Sequence, residues 1–310
     1  MDTKKTFYSN GKLLITAEYL VLDGAKALAL PTKFGQNLII EEGDYQEIKW
    51  TSYDADGSIW FEEEILFSEI KEPKNTEIES IKNTLIQILH EAYLLDHVFL
   101  NQEKGYKIST ELTFPKKWGL GTSSTLINNM AQWLKIDAFE LLNNSFGGSG
   151  YDIACAQNDS PITYQLKHGK PKVETVHFQP NYADKIYFVY LNKKQNSKTA
   201  IAKYQNNKSG DIEKDIAKID KLTHEIIHAK NDTALAHAIA KHEATMSHIL
   251  ETVTVKEKLF SDFMGEIKSL GAWGGDFIMV VSEVSPVTYF KSKGFDTILP
   301  YKDMILESSK

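Results

Sequence analysis

The sequence predicts an α+β protein built from two layers, and three observations carry that prediction. Runs of β-branched and aromatic residues alternate loosely with stretches whose apolar residues recur at helical spacing. Glycine clusters at Gly119–Gly121, Gly147–Gly150 and Gly271–Gly275 punctuate these segments. The 310 residues suffice for two domains of roughly 150 residues each. A polar stretch from Gly169 to Asp184, carrying Pro171 and Pro180, places the boundary between residues 1–184 and 185–310.

The elements follow in order. Leu13 to Val21 is apolar apart from Glu18 and reads as a strand, as does Asn37 to Glu42. Ile48–Trp50 and Ile59–Phe61 flank Asp54-Ala55-Asp56-Gly57, a turn signal that predicts a hairpin. Between Asn75 and Leu95, Ile78, Ile81, Leu85, Ile88, Leu89 and Ala92 recur at helical spacing. Tyr106 to Phe114 predicts a strand that Pro115 ends. A glycine loop then leads into a helix from Ser123 to Leu134, with Leu126, Met130, Trp133 and Leu134 on one face. Further on, Ile162–Leu166, Ile186–Leu191 and Phe277–Val281 read as strands, and Asp211–Ala229 and Thr233–Thr252 as helices.

Composition narrows the function. The net charge is −7 and no long basic run occurs, which argues against a nucleic-acid or anionic-membrane partner. A single cysteine makes neither an intramolecular disulfide nor a multi-thiolate metal site. No apolar run approaches the roughly 20 residues that span a bilayer, and Met1 to Asn10 lacks a signal-peptide core. The expectation is a soluble, cytoplasmic protein acting on a small molecule.

Four segments are candidates for chemistry. In Trp118-Gly119-Leu120-Gly121-Thr122-Ser123-Ser124, glycines allow close approach of backbone N–H groups to an anion, and the following helix adds its positive end. Its hydroxyls suit phosphate oxygens or Mg²⁺, although an ordinary Ser/Thr N-cap gives the same letters. It is neither a Walker A loop nor a dinucleotide fingerprint, because Ser124 stands where the third glycine belongs. Asp152, just after Ser149-Gly150, is placed to orient or deprotonate a hydroxyl, or else to cap a helix. Lys12 precedes an apolar strand, where a solvated surface charge is the plainer reading. Gly271-Ala272-Trp273-Gly274-Gly275-Asp276 is either a close-packing ligand loop or a tight turn before a core strand.

One motif points elsewhere. His224-Glu225-Ile226-Ile227-His228 matches the helix-borne zinc signature H-E-x-x-H. The extended pattern fails at Asn231 and Ala234, and helical phasing puts both histidines opposite the stripe of Ile216, Ile219, Leu222 and Ile226. A water-facing pair without a third ligand is the reading that follows.

Taken in order, the glycine elements resemble the GHMP kinase superfamily. Gly11-Lys12-Leu13-Leu14-Ile15-Thr16-Ala17-Glu18-Tyr19 through Gly24 resembles its first motif, Gly119 to Ser124 its phosphate loop, and Gly271 to Asp276 its third motif. Lys12, Glu18-Tyr19, Lys117-Trp118-Gly119 and Gly274-Gly275-Asp276 are similar to the mevalonate and phosphomevalonate kinase branch. The resemblance implies an N-terminal ribosomal protein S5 domain 2-like domain and a C-terminal ferredoxin-like α/β sandwich. It also implies an ATP- and Mg²⁺-dependent kinase of the isoprenoid precursor pathway, acting on mevalonate or phosphomevalonate, with a homodimer compatible with it.

By that resemblance Asp152 and Lys12 are catalytic, and Gly119, Leu120, Gly121, Thr122, Ser123 and Ser124 hold the nucleotide, with Ser123 also on the metal. Glu18, Tyr19, Ser149, Gly150, Ser197 and Gly274 contact substrate, while Lys33, Lys116 and Lys117 offer charge to a phosphorylated acceptor. The sequence departs from the family at Trp273, where glycine is usual, and at Asn143-Asn144, where mevalonate kinase carries a Mg²⁺-binding glutamate. Those departures motivate one alternative, a nucleotide-binding protein of this fold without kinase activity; a diphosphomevalonate decarboxylase of the same fold is a further one. A zinc protease is the outsider.

Overall fold

The computed structural model describes residues 4–74, 80–194, 197–206, 208 and 211–307, without the side chains of residues 197, 198 and 203. The chain is α+β, with a seven-stranded mixed sheet and a four-stranded antiparallel sheet. It divides into two compact units, each assembled from separate stretches. The first comprises Met1–Gly11, Phe34–Lys116 and Leu120–Gln157; the second comprises Lys12–Lys33, Lys117–Gly119 and Asn158–Lys310. Among the described residues, no helix is long and apolar enough to cross a membrane.

Strands β1 (Lys5–Leu14) and β2 (Ala27–Tyr45) each run through both units. In the first unit, β2 pairs with β5 (Lys104–Leu112), which lies parallel to β3 (Glu47–Tyr53). The expected hairpin is present: β3 pairs with β4 (Ile59–Leu66), and the Gly57 N–H donates to the Asp54 carbonyl at 2.9 Å across the turn. The α-helices of this unit, among the described residues, are α1 (Phe67–Lys71), α2 (Ile81–Leu95), α3 (Thr122–Leu134), α4 (Ala138–Ser145) and α5 (Tyr151–Ala156). The inward sides of the strands supply Leu38, Ile40, Ile48, Trp50 and Ile108, and the helices close over them with Leu85, Leu89, Ile127 and Met130. Ser80 caps α2 through the Asn83 N–H, so the described helix begins six residues later than Asn75; residues 75–79 lie outside the description.

In the second unit, β6 (Ile162–Lys167) pairs with the start of β2 and with β7 (Lys170–Thr175). The antiparallel sheet has the order β11-β8-β10-β9, formed by β8 (Ile186–Tyr190), β9 (Glu266–Ser269), β10 (Phe277–Val281) and β11 (Ile298–Pro300). All five residues of β10 are buried, which explains an apolar run without alternation. The helices are α6 (Ser197–Asn206), α7 (Ile212–Ile227), α8 (Asp232–Ile249), α9 (Val255–Leu259), α10 (Val287–Ser292) and α11 (Tyr301–Met304). Helix α7 packs on α8, and α8 on β9. Val189, Ile267, Ile278 and Val280 of the sheet pack with Phe260 and Phe290 in a separate buried cluster.

Two local expectations are corrected. Leu13–Val21 is not a strand: β1 ends at Leu14, Ala17 and Tyr19 take a left-handed φ of 63°, and a short 3₁₀ turn follows at Leu20–Asp23. Its apolar residues are buried as a turn packed in the interior, not as one face of a sheet. The polar stretch after Gly169 contains β7, whose six residues are all exposed and therefore show no hydrophobic alternation.

Candidate active site

Within the second unit, three segments distant in sequence meet. The Lys12 ammonium lies 3.5 Å from the Gly119 carbonyl, to which it donates. Gly119 adopts φ +71°, and a Cβ built there would stand 2.6 Å from the Asp276 carboxyl carbon. Glycine is thus required at 119 both by backbone conformation and by the carboxylate against it. Asp276 is fixed by its own backbone, donating to the Lys193 carbonyl at 2.7 Å and accepting from the Leu191 N–H at 2.8 Å. Beside it, the Trp118 ring meets Phe277 edge-on with centroids 5.4 Å apart, and the Tyr190 hydroxyl donates to the Lys117 carbonyl at 3.0 Å. Tyr19 joins the first motif to the third: its hydroxyl accepts the Trp273 N–H at 3.2 Å. Gly274, with φ +87°, provides the reversal in that loop.

In the first unit, the loop continues from Leu120, which is fully buried, into helix α3. Gly121 is its N-cap at φ 100°, and no side chain caps the helix. Ser124 is buried and donates its hydroxyl back to the Gly121 carbonyl at 2.9 Å; Thr122 is half-buried and Ser123 exposed. An uncapped helix start behind glycines of positive φ, with one exposed hydroxyl, could take a polyphosphate and could offer a metal ion one hard oxygen ligand. Helix α3 is held by a buried polar net that the sequence reading missed. Thr125 donates to Gln36 Oε1 at 2.7 Å, Asn129 Nδ2 to the Gln36 carbonyl at 2.8 Å, and Ser9 to Asn129 Oδ1 at 2.7 Å. Nothing in residue spacing distinguishes such a face from a solvated one, because its partners come from β1 and β2.

Asp152 is half-buried in the first turn of α5, whose N-cap is Gly150 at φ 86°; Ser149 is buried beside it. Helix α5 packs on α3. Lys116 places its ammonium 4.0 Å from the Trp60 ring centroid, while Lys33 and Lys117 are exposed. Ser197 begins α6, but its side chain lies outside the described residues.

Glu18 has no exposed surface, and its carboxylate pairs with Lys268. Burial pushes its carboxyl up to about 7, opposed by Lys268 and reinforced by Glu243. His224 and His228 are exposed, as helical phasing requires, with ring centroids 4.0 Å apart. Among the described residues, no group of three or more His, Cys, Asp or Glu is arranged to hold a metal ion.

No family model and no curated protein matches this sequence. Solved structures do match in fold. The mevalonate kinase of Methanococcus jannaschii aligns over 99% of both chains, with a TM-score of 0.71 and 16% identity. The chain has the GHMP kinase fold. Two further structures of this fold are similar to it. A Streptococcus pneumoniae phosphomevalonate kinase, in complex with phosphomevalonate and AMPPNP, aligns over 98% of both chains (TM-score 0.66, 14% identity). A Lactococcus lactis galactokinase complexed with galactose aligns over 94% of this chain and 88% of its own (TM-score 0.64, 13% identity). The fold expected from the glycine motifs is therefore the fold observed.

Proposed function

We propose that this protein is an ATP-dependent small-molecule kinase that transfers the γ-phosphoryl group to mevalonate or phosphomevalonate. The observation that carries the reading is the meeting of Lys12, Gly119 and Asp276, one residue from each of three motifs, at the start of the loop that opens helix α3. Solved kinases of the same fold over nearly the whole chain support it.

Phosphoryl transfer needs positioning and compensation of negative charge more than covalent chemistry from the protein. In this reading, backbone N–H groups from Gly119 to Ser124 hold the nucleotide phosphates, and Ser123 offers its hydroxyl to Mg²⁺. Mg²⁺ held there would supply positive charge to offset that of the phosphates. Asp152 orients the acceptor hydroxyl and takes its proton. Lys12 steadies the charge that builds on the acceptor. The chain contains no arginine, so all 35 Lys/Arg positions are lysine and side-chain recognition of phosphate or carboxylate rests on point charges rather than bidentate forks.

The test is ADP release from Mg-ATP with mevalonate, phosphomevalonate, homoserine and galactose supplied separately. Release that depends on one of the first two supports the proposal. ATP binding without release for any acceptor supports a non-catalytic nucleotide-binding protein, and CO₂ release from diphosphomevalonate a decarboxylase.

A further inference from the structure

We propose that Lys268 is a positioning residue: with Glu18, Glu243 and His242 it locks the Ala17–Tyr19 turn and, through Tyr19, sets the Gly271–Gly275 loop. Its effect on turnover rests on the kinase reading above; its structural part does not.

The turn needs holding. Ala17 and Tyr19 both sit at φ 63°, a conformation that costs non-glycine residues on the order of 1–3 kcal/mol each. Such strain persists where the surroundings over-determine it. Here the Ala17 N–H donates to His242 Nε2 at 3.3 Å, and the Glu18 carboxylate accepts from the Lys268 ammonium. Lys268 also donates to the Ser269 carbonyl at 2.5 Å and lies 3.0 Å from Glu243 Oε1, while Glu243 Oε2 accepts from the Ser269 hydroxyl at 2.8 Å. Glu18, His242 and Lys268 have no exposed surface and Glu243 only 3%. The first motif, helix α8 and strand β9 are thus tied at one buried point, all within the second unit.

That point reaches the third glycine loop by two routes. Lys268 and Ser269 are the last residues of β9, which leads into the loop; and Tyr19, next to Glu18, accepts the Trp273 N–H. Stability alone does not explain the arrangement, since apolar residues in place of a buried ion pair are often as stable or more so. Two carboxylates sharing one ammonium also leave the cluster an excess of negative charge. What the polar groups add is direction: His242 holds the Ala17 N–H, Lys268 the Ser269 carbonyl and Glu243 the Ser269 hydroxyl.

Lys268→Met alone would strand two buried carboxylates, so the test uses Glu18→Gln/Lys268→Met, which abolishes the pair and leaves only Glu243, held by the Ser269 hydroxyl. The double variant is expected to unfold cooperatively, with amide exchange in the 271–275 loop raised about tenfold or more and that of β10 unchanged. Its kcat is expected to fall about 10- to 100-fold, as misplacement of a reacting group does, with acceptor KM little altered. Tyr19→Phe, which removes one hydroxyl, is expected to raise exchange in the same loop. Loop exchange equal to wild type in either folded variant overturns the proposal. A wild-type protein that phosphorylates no acceptor overturns the kinase reading instead, and the exchange measurements still decide the role of Lys268.

Discussion

At Gly119 a side chain and a backbone contend for the same space. A methyl group there would meet the Asp276 carboxylate at 2.6 Å while being forced to φ +71°. Gly119→Ala is therefore expected to cost about 1–3 kcal/mol in urea denaturation, and wild-type stability would refute the packing described. Asp152→Ala is expected to lower turnover about 10²- to 10⁴-fold, the usual contribution of a positioned base, with ATP affinity measured by calorimetry essentially unchanged. Lys12→Met should act alike. The motif residues were legible in the sequence because glycines, an Asp and a Lys stand in a recognisable order. The pairing of Glu18 was not: the resemblance assigned it a substrate contact, whereas its buried carboxylate meets Lys268, 250 residues away, and no local pattern links the two.

Helix α3 shows how an element can bury both kinds of face. Its apolar side was readable from Met130 and Leu134, but Asn128 and Asn129 are buried too and hydrogen-bonded to β1 and β2. Asn129→Ala leaves the Gln36 carbonyl without this donor, with an expected cost of about 1–3 kcal/mol by thermal unfolding; a neutral effect would mean the net does not hold the helix. Strand β7 was missed for the opposite reason, since all of its residues are exposed and no periodicity marks it. The element-scale consequence of the buried cluster is a pH dependence. Burial raises Glu18 to about 7 from 4.5, so its proton favours the folded state at low pH and that contribution is lost as pH rises through this window. His242 opposes it: burial, with Lys268 adding, holds the imidazole well below 6.5, so folded stability is lost as pH falls below that value. Glu18→Gln removes only the first contribution. Its Tm relative to wild type should be more favourable at pH 8 than at pH 5; an equal difference at both would show that Glu18 does not titrate there.

For the whole molecule, fold class and many elements followed from periodicity and turn chemistry, because those signals are local. The assembly did not. Strands β1 and β2 run through both compact units, and Lys12, Gly119 and Asp276 come together only through long-range pairing. Residue spacing alone carries no information about that meeting. The account's central claim is that this constellation moves a phosphoryl group from ATP to a small acceptor. Transfer of labelled γ-phosphate to mevalonate or phosphomevalonate, measured for wild type beside Asp152→Ala and Lys12→Met, tests it most directly. The account predicts labelled product from wild type and a collapse of the rate in both variants at unchanged folding. Labelled product formed as fast by the variants as by wild type, or none formed from either acceptor by a protein that binds ATP, would contradict it.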